Sequence, residues 1–448
     1  MTKADVKSEL LSKDEKYVWH SMKPYNPDST MVAKSAKGSW ITDIDGNRYL
    51  DAMSGLWCVN VGYGREELAK AAYEQIKDLS YMPLTQSHEA AIQLGEKINQ
   101  LLGDDYVVFF SNSGSEANEA AFKMVRQYHQ QKGDHYRTKF ISRYRAYHGN
   151  STSALAATGQ AQRKYKYEPL GPGFLHVAPP DEYRNEHSEK DRFGAKEIDD
   201  VMTWEYSESI AGVIMEPIIT GGGVIVPPEQ YMKEVQAICK KHGALMIVDE
   251  VICGFGRTGK PFGFMNYGVK PDIITMAKGI TSAYLPLSAT AVKREVYEAF
   301  CGDDTYDFFR HINTFGGHPA ACAVALKNIE IMERENLFER SHDLGEAAKN
   351  DLNTRLQTHN HVGNVRGKGL LIGIEMVESK ETKEPLAVDK VNQIISYCKN
   401  KGILIGKNGM TVAGFNNVIT LSPPLSIDEE DLTFLLDTVV EAIESISS

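Results

Sequence analysis

The chain has 448 residues, 42% of them hydrophobic and 24% charged, and a formal net charge of −11. That composition excludes a disordered polypeptide, and the length is enough for a large domain plus at least one smaller one. The negative charge, with no Lys/Arg cluster to offset it, excludes nucleic acid and anionic lipid as natural partners and points to a small-molecule enzyme.

The opening stretch MTKADVKSELLSKDEK alternates in charge and lacks the apolar core of a signal peptide, so the expected location is the cytoplasm. Three units are expected in chain order: an N-terminal segment over 1–60 that packs with a small domain, a large domain over 61–325, and a small α+β domain over 326–448. From about 105 to 325, short apolar runs alternate with helix-period segments, the pattern of a mostly parallel sheet between helices. Tyr106–Phe110 reads as a buried strand, and Ala117, Ala120, Ala121, Met124, Val125 and Tyr128 then repeat at helical spacing. The polar run Tyr183–Arg192 predicts a solvated excursion. Ala211–Val226 is apolar but broken by Glu216, Pro217 and three glycines, so it cannot cross a bilayer as a helix.

A second helical face begins at Tyr231, Gly243 suits its C-terminus, and Leu245–Val248 forms a buried strand ending at Asp249. A third strand, Ile273–Met276, leads to Lys278. Beyond about 326 come a long helix over Ala320–Glu335, strands near Gly369–Met376 and Val418–Leu421, and a terminal helix from Asp428. The six cysteines form no C-x-x-C pair, and His359 and His361 have no Cys or carboxylate nearby, so no metal site is expected.

Three features carry chemistry. The segment from Ser111 to Asn118 joins a strand to a helix and places free amides and hydroxyls where a helix dipole favours an anion; an ordinary N-cap is the alternative. Asp249 closes an apolar strand and needs a cation or strong donor, either a protonated pyridine nitrogen or a neighbouring arginine. Lys278 also leaves an apolar strand, so its amine is either desolvated toward nucleophilic competence or snorkels to water. Together these match the three polar handles of pyridoxal phosphate.

The same residues carry a resemblance. Ser113-Gly114-Ser115-Glu116-Ala117-Asn118, Val248-Asp249-Glu250-Val251 with Gly254-Phe255-Gly256-Arg257-Thr258-Gly259, and Pro271-Asp272 followed by Ala277-Lys278-Gly279 resemble the class III, or omega, aminotransferases along nearly the whole chain. The resemblance implies a fold-type I α/β transferase and a homodimer with shared active sites, dimer or tetramer being left open. Lys278 would hold pyridoxal 5'-phosphate as an imine, Asp249 its ring nitrogen, Val251 one ring face, and Ser113, Gly114 and Ser115 its phosphate. Tyr147 and His148 stand at the family's Y-H-G position, where the tyrosine stacks on the ring; plain core packing is the alternative for Tyr147. Glu216-Pro217 matches a motif beside the cofactor, and Thr314 matches the threonine that reaches the neighbouring subunit's phosphate.

Trp57 resembles the tryptophan that lines the donor pocket, with a core or interface tryptophan as its alternative. With the opening Tyr17-Val18-Trp19-His20-Ser21-Met22, it implies an amine or omega-amino acid donor, such as beta-alanine or taurine, and pyruvate or another oxo acid as acceptor. Many members place an arginine shortly before the Pro-Pro-Leu motif to grip the acceptor carboxylate, and between Lys407 and Pro423 this sequence has none. Arg163, in Gln160-Ala161-Gln162-Arg163-Lys164, is the replacement candidate; a surface basic turn is its alternative. The adenosylmethionine-8-amino-7-oxononanoate aminotransferase of biotin synthesis, and an isomerase or lyase on the same fold, are the competing functions.

Overall fold

The computed structural model describes residues 3–22, 24–184, 195–409, 411–412 and 414–446. Its centre is a seven-stranded sheet of β1 (Tyr106–Ser111), β2 (Lys139–Arg143), β3 (Phe174–Val177), β4 (Ile210–Met215), β5 (Leu245–Asp249), β6 (Ile273–Met276) and β7 (Ser288–Lys293), in the order β1-β7-β6-β5-β4-β2-β3. Only β7 runs against its neighbours β1 and β6. The remaining pairings are parallel, so the fold is the expected mostly parallel α/β sheet.

Both faces of this sheet are buried, which is why its central strands are continuous apolar runs. Met246, Val248 and Ile274 face one core cluster, while Ile247 and Ile273 face another. Helix α1 (Gly114–Gln131) covers the second face with Ala120, Ala121, Met124 and Val125 buried, and Tyr128 is only half-buried at its end. Small residues let α1 approach closely enough for Thr290 Oγ1 on β7 to donate to the Ala117 carbonyl at 2.9 Å. Helix α2 (Tyr231–His242) stops at Gly243, whose φ of 69° is the left-handed cap expected of that glycine.

The chain after the large sheet forms a four-stranded antiparallel sheet, in the order Val362–Gly367, Ile372–Met376, Val418–Leu421, Gly406–Lys407, with helices Leu337–Leu356, Val388–Asn400 and Glu429–Glu444. Near the N-terminus, Ala33–Lys37, Trp40–Asp43 and Arg48–Asp51 form an antiparallel meander. Ile403–Leu404 joins its edge in parallel with Arg48–Asp51. Of the run Tyr183–Arg192, Arg184 is not a solvated residue: its Nε donates to the buried Glu375 and its Nη1 to the Lys383 carbonyl at 2.9 Å. Residues 185–192 of that run lie outside the described residues. No helix among the described residues is long and apolar enough to cross a membrane.

Candidate active site

The carboxyl ends of the parallel strands converge, as they do wherever open α/β sheets bind ligands. β1 ends at Ser111, β4 leads to Glu216, β5 ends at Asp249, and β6 leads to Lys278. The β5–β6 register sets Asp249 beside Thr275, so the aspartate and the lysine leave the sheet from neighbouring strands.

Asp249 is buried. Its Oδ2 accepts from Asn118 Nδ2 at 2.8 Å and meets His148 Nδ1 at 2.9 Å, and its Oδ1 accepts the Val251 amide at 3.1 Å. The alternative partner, an arginine, is not among these contacts. His148 therefore stands behind Asp249, and its Nε2 is buried without a partner among the described residues. Asn118, on α1, ends the Ser113–Asn118 motif but was given no role of its own from the sequence. It bridges Asp249 to the His148 carbonyl at 2.7 Å and accepts from Thr275 Oγ1 at 2.7 Å, which fixes its amide orientation. Beyond its place in that motif, its sequence signal is an Asn on the sheet-facing side of a helix, where a buried amide must be bonded.

Lys278 sits at φ 46°, an unusual backbone state for a side chain of its size. Burial lowers its amine below the usual lysine value, against the raising influence of Cys58, Asp249 and Glu216. Its Nζ lies 5.3 Å from the centre of the Trp57 ring, so Trp57 and Lys278 do share one site. The indole Nε1 of Trp57 is buried without a partner among the described residues.

The turn at the start of α1 is a helix N-cap. Ser113 is the N-cap, its Oγ accepting the Glu116 amide at 3.2 Å, while Glu116 Oε2 accepts the Asn112 amide at 2.7 Å. The hydroxyl of Ser113 is thus engaged. Ser115 Oγ donates to Asn150 Oδ1 at 2.9 Å and accepts the Asn150 amide at 3.1 Å. Gly114 is required by packing, since a Cβ there would lie 2.9 Å from Val251 Cγ2. Val251 therefore packs close against the turn at Gly114. The Thr314 turn is tied to the end of β1 by Asn313 Nδ2, which donates to Ser111 Oγ at 2.7 Å, and Thr314 itself is exposed.

Glu216 is buried, with Oε1 accepting the Tyr147 amide and Oε2 the Thr220 amide, each at 3.1 Å. Burial pushes its carboxyl up to about 7, with His148 opposing and the charge of Asp249 adding to the rise. Tyr147 is half-buried, and the Arg163 guanidinium lies 4.9 Å from its ring centre. Arg163 Nε donates to Gln160 Oε1 at 2.6 Å, and the buried Gln160 in turn donates to the Arg145 carbonyl at 2.8 Å. Gln160 is a second residue that sequence reasoning passed over. Tyr147 and Arg163 line a cavity of about 630 Å³ with Met22, Asn150, Tyr165 and Tyr167 among its other walls, and no carboxylate lines it.

The residues fit a ring cofactor bearing an aldehyde, a basic ring nitrogen and a phosphate. They offer a desolvated amine, a buried carboxylate with no Lys or Arg ion pair among the described residues, and a helix N-terminus that begins at a glycine packed close to Val251. Comparison with known proteins agrees. Residues 22–443 match the family model for aminotransferase class-III. The uncharacterized aminotransferase YhxA of Bacillus subtilis is 67% identical over 98% of this chain and 97% of its own length, and the taurine–pyruvate aminotransferase of Bilophila wadsworthia is 41% identical over 98% of each. Among solved structures, a Bacillus anthracis aminotransferase superposes with a TM-score of 0.97 at 62% identity, covering 99% of this chain and 100% of its own. An omega transaminase from Pseudomonas jessenii in complex with PMP superposes at 0.91 with 32% identity, covering 98% of each chain. The chain belongs to the class III aminotransferases, fold-type I enzymes that depend on pyridoxal phosphate.

Proposed function

We propose that this aminotransferase moves an amino group from an amine or omega-amino acid, of the beta-alanine or taurine kind, to pyruvate, in a homodimer with shared active sites. The observation that carries the reading is Arg163. It borders the Tyr147 ring inside a cavity with no lining carboxylate, and no carboxylate among the described residues pairs with it. A cation so placed, partly desolvated and lowered in pKa by burial, recognises a substrate carboxylate or sulfonate.

In this reading Lys278 is the residue that anchors the cofactor aldehyde and, once free, moves a proton at the donor carbon. Bound pyridoxal phosphate supplies the electron sink that makes that carbon acidic. Asp249, oriented by Asn118 and His148, pairs with the ring nitrogen and keeps it protonated. Val251 and Tyr147 hold the ring faces, the amides at Gly114 and Ser115 hold the phosphate, and Glu216 fixes the backbone of Tyr147. Trp57 forms the donor-side wall. The dimer reading is supported by the apolar surface around Thr314, where Ile312 is 64% and Phe315 62% exposed. It makes Thr314 the residue that completes the partner's phosphate site.

The test is to follow the visible absorbance of the cofactor-loaded protein while beta-alanine, taurine, a simple arylalkylamine and S-adenosylmethionine are added singly. Loss of the band with one of the first three, and its return with pyruvate as alanine forms, is the expected result. Response to S-adenosylmethionine alone would reassign the enzyme to biotin synthesis, and amine rearrangement without transfer to pyruvate would reassign it to an isomerase. Arg163→Ala is expected to raise KM for pyruvate about tenfold or more with kcat less affected, and an unchanged KM refutes the role of Arg163.

A further inference from the structure

Arg257, in the glycine-rich tract after Asp249, is among the largest fully buried side chains of the protein. Burial brings its guanidinium down to about 10, and no carboxylate among the described residues forms an ion pair with it. Its guanidinium donates to four neutral oxygens from distant parts of the chain. Nη2 donates to Ser54 Oγ at 3.0 Å and Asn60 Oδ1 at 2.8 Å, and Nη1 donates to the carbonyls of Leu370 at 3.0 Å and Pro423 at 2.6 Å. A buried cation held by neutral acceptors is costly unless its fork fixes something the fold cannot otherwise hold.

What it fixes is the turn that carries Trp57. Ser54, Gly55 and Trp57 have φ of 48°, 66° and 57°, with Leu56 at −132° between them, and a positive φ is a state that the two L side chains Ser54 and Trp57 adopt only under restraint. The Asp51 carboxylate accepts the amides of Met53 at 3.0 Å and Gly55 at 2.6 Å and the Tyr63 hydroxyl at 2.7 Å. Ser54 Oγ donates to the Ser422 carbonyl at 2.7 Å, and the amides of Ser422 and Leu425 donate to the carbonyls of Ala52 and Asn60 at 2.7 and 2.8 Å. The turn is thereby docked on the Pro423-Pro424-Leu425 segment, with Arg257 bonded to both. The cluster also abuts the lysine turn, because a Cβ at Gly279 would lie 2.5 Å from Asn60 Nδ2 and 3.0 Å from Phe255 Cβ.

We propose that Arg257 is a positioning residue for the donor pocket: its guanidinium clamps the strained Trp57 turn to the 422–425 segment and so sets the indole against the Lys278 amine. This rests on the reading of Trp57 as a donor-pocket wall. A lysine cannot replace the fork, since one ammonium cannot reach two pairs of acceptors on opposite sides in fixed geometry. Arg257→Lys in the full-length, cofactor-loaded protein is therefore the informative change, with Leu352→Ala, a buried side chain of the small-domain core, as a comparison that loses stability elsewhere.

Hydrogen exchange of the peptide spanning 52–60 is expected to accelerate about tenfold in Arg257→Lys and to stay near wild type in Leu352→Ala, as local opening should differ from global loosening. In the same Arg257→Lys protein, KM for beta-alanine should rise about tenfold with kcat within about twofold and the cofactor band retained, the signature of misplaced binding surface and not of lost chemistry. Unchanged exchange over 52–60, or equal acceleration in both variants, overturns the proposal, as does an unchanged KM beside a normal wild-type reaction. A wild type inert to beta-alanine counts against the donor reading instead, and the exchange result then decides Arg257 alone.

Discussion

Replacing Glu216 by glutamine should stabilise the cofactor-free enzyme above neutrality and do so in a pH-dependent way. Burial raises the Glu216 carboxyl from its ordinary value of 4.5 to about 7, so between those values the folded protein holds a proton that the unfolded chain has released. Stability contributed by the protonated acid is then fully present below about 4.5 and is lost as pH rises through about 7. The rise from 4.5 to about 7 corresponds in full to about 3.5 kcal/mol at about 1.4 kcal/mol per pK unit. Glutamine keeps an acceptor for the Tyr147 or Thr220 amide without the buried charge. Paired denaturant titrations at pH 5 and pH 8 span most of that loss and should therefore show Glu216→Gln gaining about 2.5 kcal/mol relative to wild type between the two conditions. A gain that is the same at both pH values, or largest at pH 5, would refute the assignment of a buried, neutral-poised carboxyl beside Asp249.

Two further changes probe the support of the cofactor site. Asn118→Ala removes a buried amide that donates to Asp249 and to the His148 carbonyl and accepts from Thr275; unfolding titrations should show a loss of about 2–3 kcal/mol, with a fall in kcat larger than any change in KM. Gly114→Ala places a methyl 2.9 Å from Val251 Cγ2, so Val251 must move, costing about 1–3 kcal/mol and weakening pyridoxal phosphate binding as measured by equilibrium titration of the apoenzyme.

Much of the architecture was legible because its elements obey simple periodicities. The strands at Tyr106, Leu245 and Ile273, the alanine face of α1 and the Gly243 stop each follow from local pattern, though the edge strand at Tyr106 is only half-buried over Val107–Phe109, and the strands lead to Ser111, Asp249 and Lys278 at the sheet's carboxyl edge. Strands β2, β3 and β7 were less visible. Lys139–Arg143 is short and capped by charges, and Ser288–Lys293 alternates small and polar residues, so no apolar run marks it although Ala289, Ala291 and Val292 are buried in the core. The N-terminal meander was hidden for a related reason: Ala33–Lys37 lies on an exposed edge, and Arg48–Asp51 finds its other partner at Ile403, some 350 residues away in the chain.

At the site, residues that offer chemistry by type and position were legible, and those that orient them were not. Lys278 and Asp249 stand out because charge at the end of an apolar strand demands an explanation. Asn118, Gln160 and Arg257 do not, since an Asn on a helix, a Gln in a turn or an Arg in a glycine-rich loop is unremarkable until the fold shows what it bonds. Tertiary contacts assign those roles.

The central claim is that Lys278 is the residue that anchors the cofactor. Borohydride reduction of the protein loaded with pyridoxal phosphate, followed by digestion and peptide mass analysis, tests it directly. The account predicts one phosphopyridoxyl adduct on the peptide containing Lys278, absent from Lys278→Ala. An adduct on a different lysine, or no adduct in a protein that still transfers nitrogen, would contradict it.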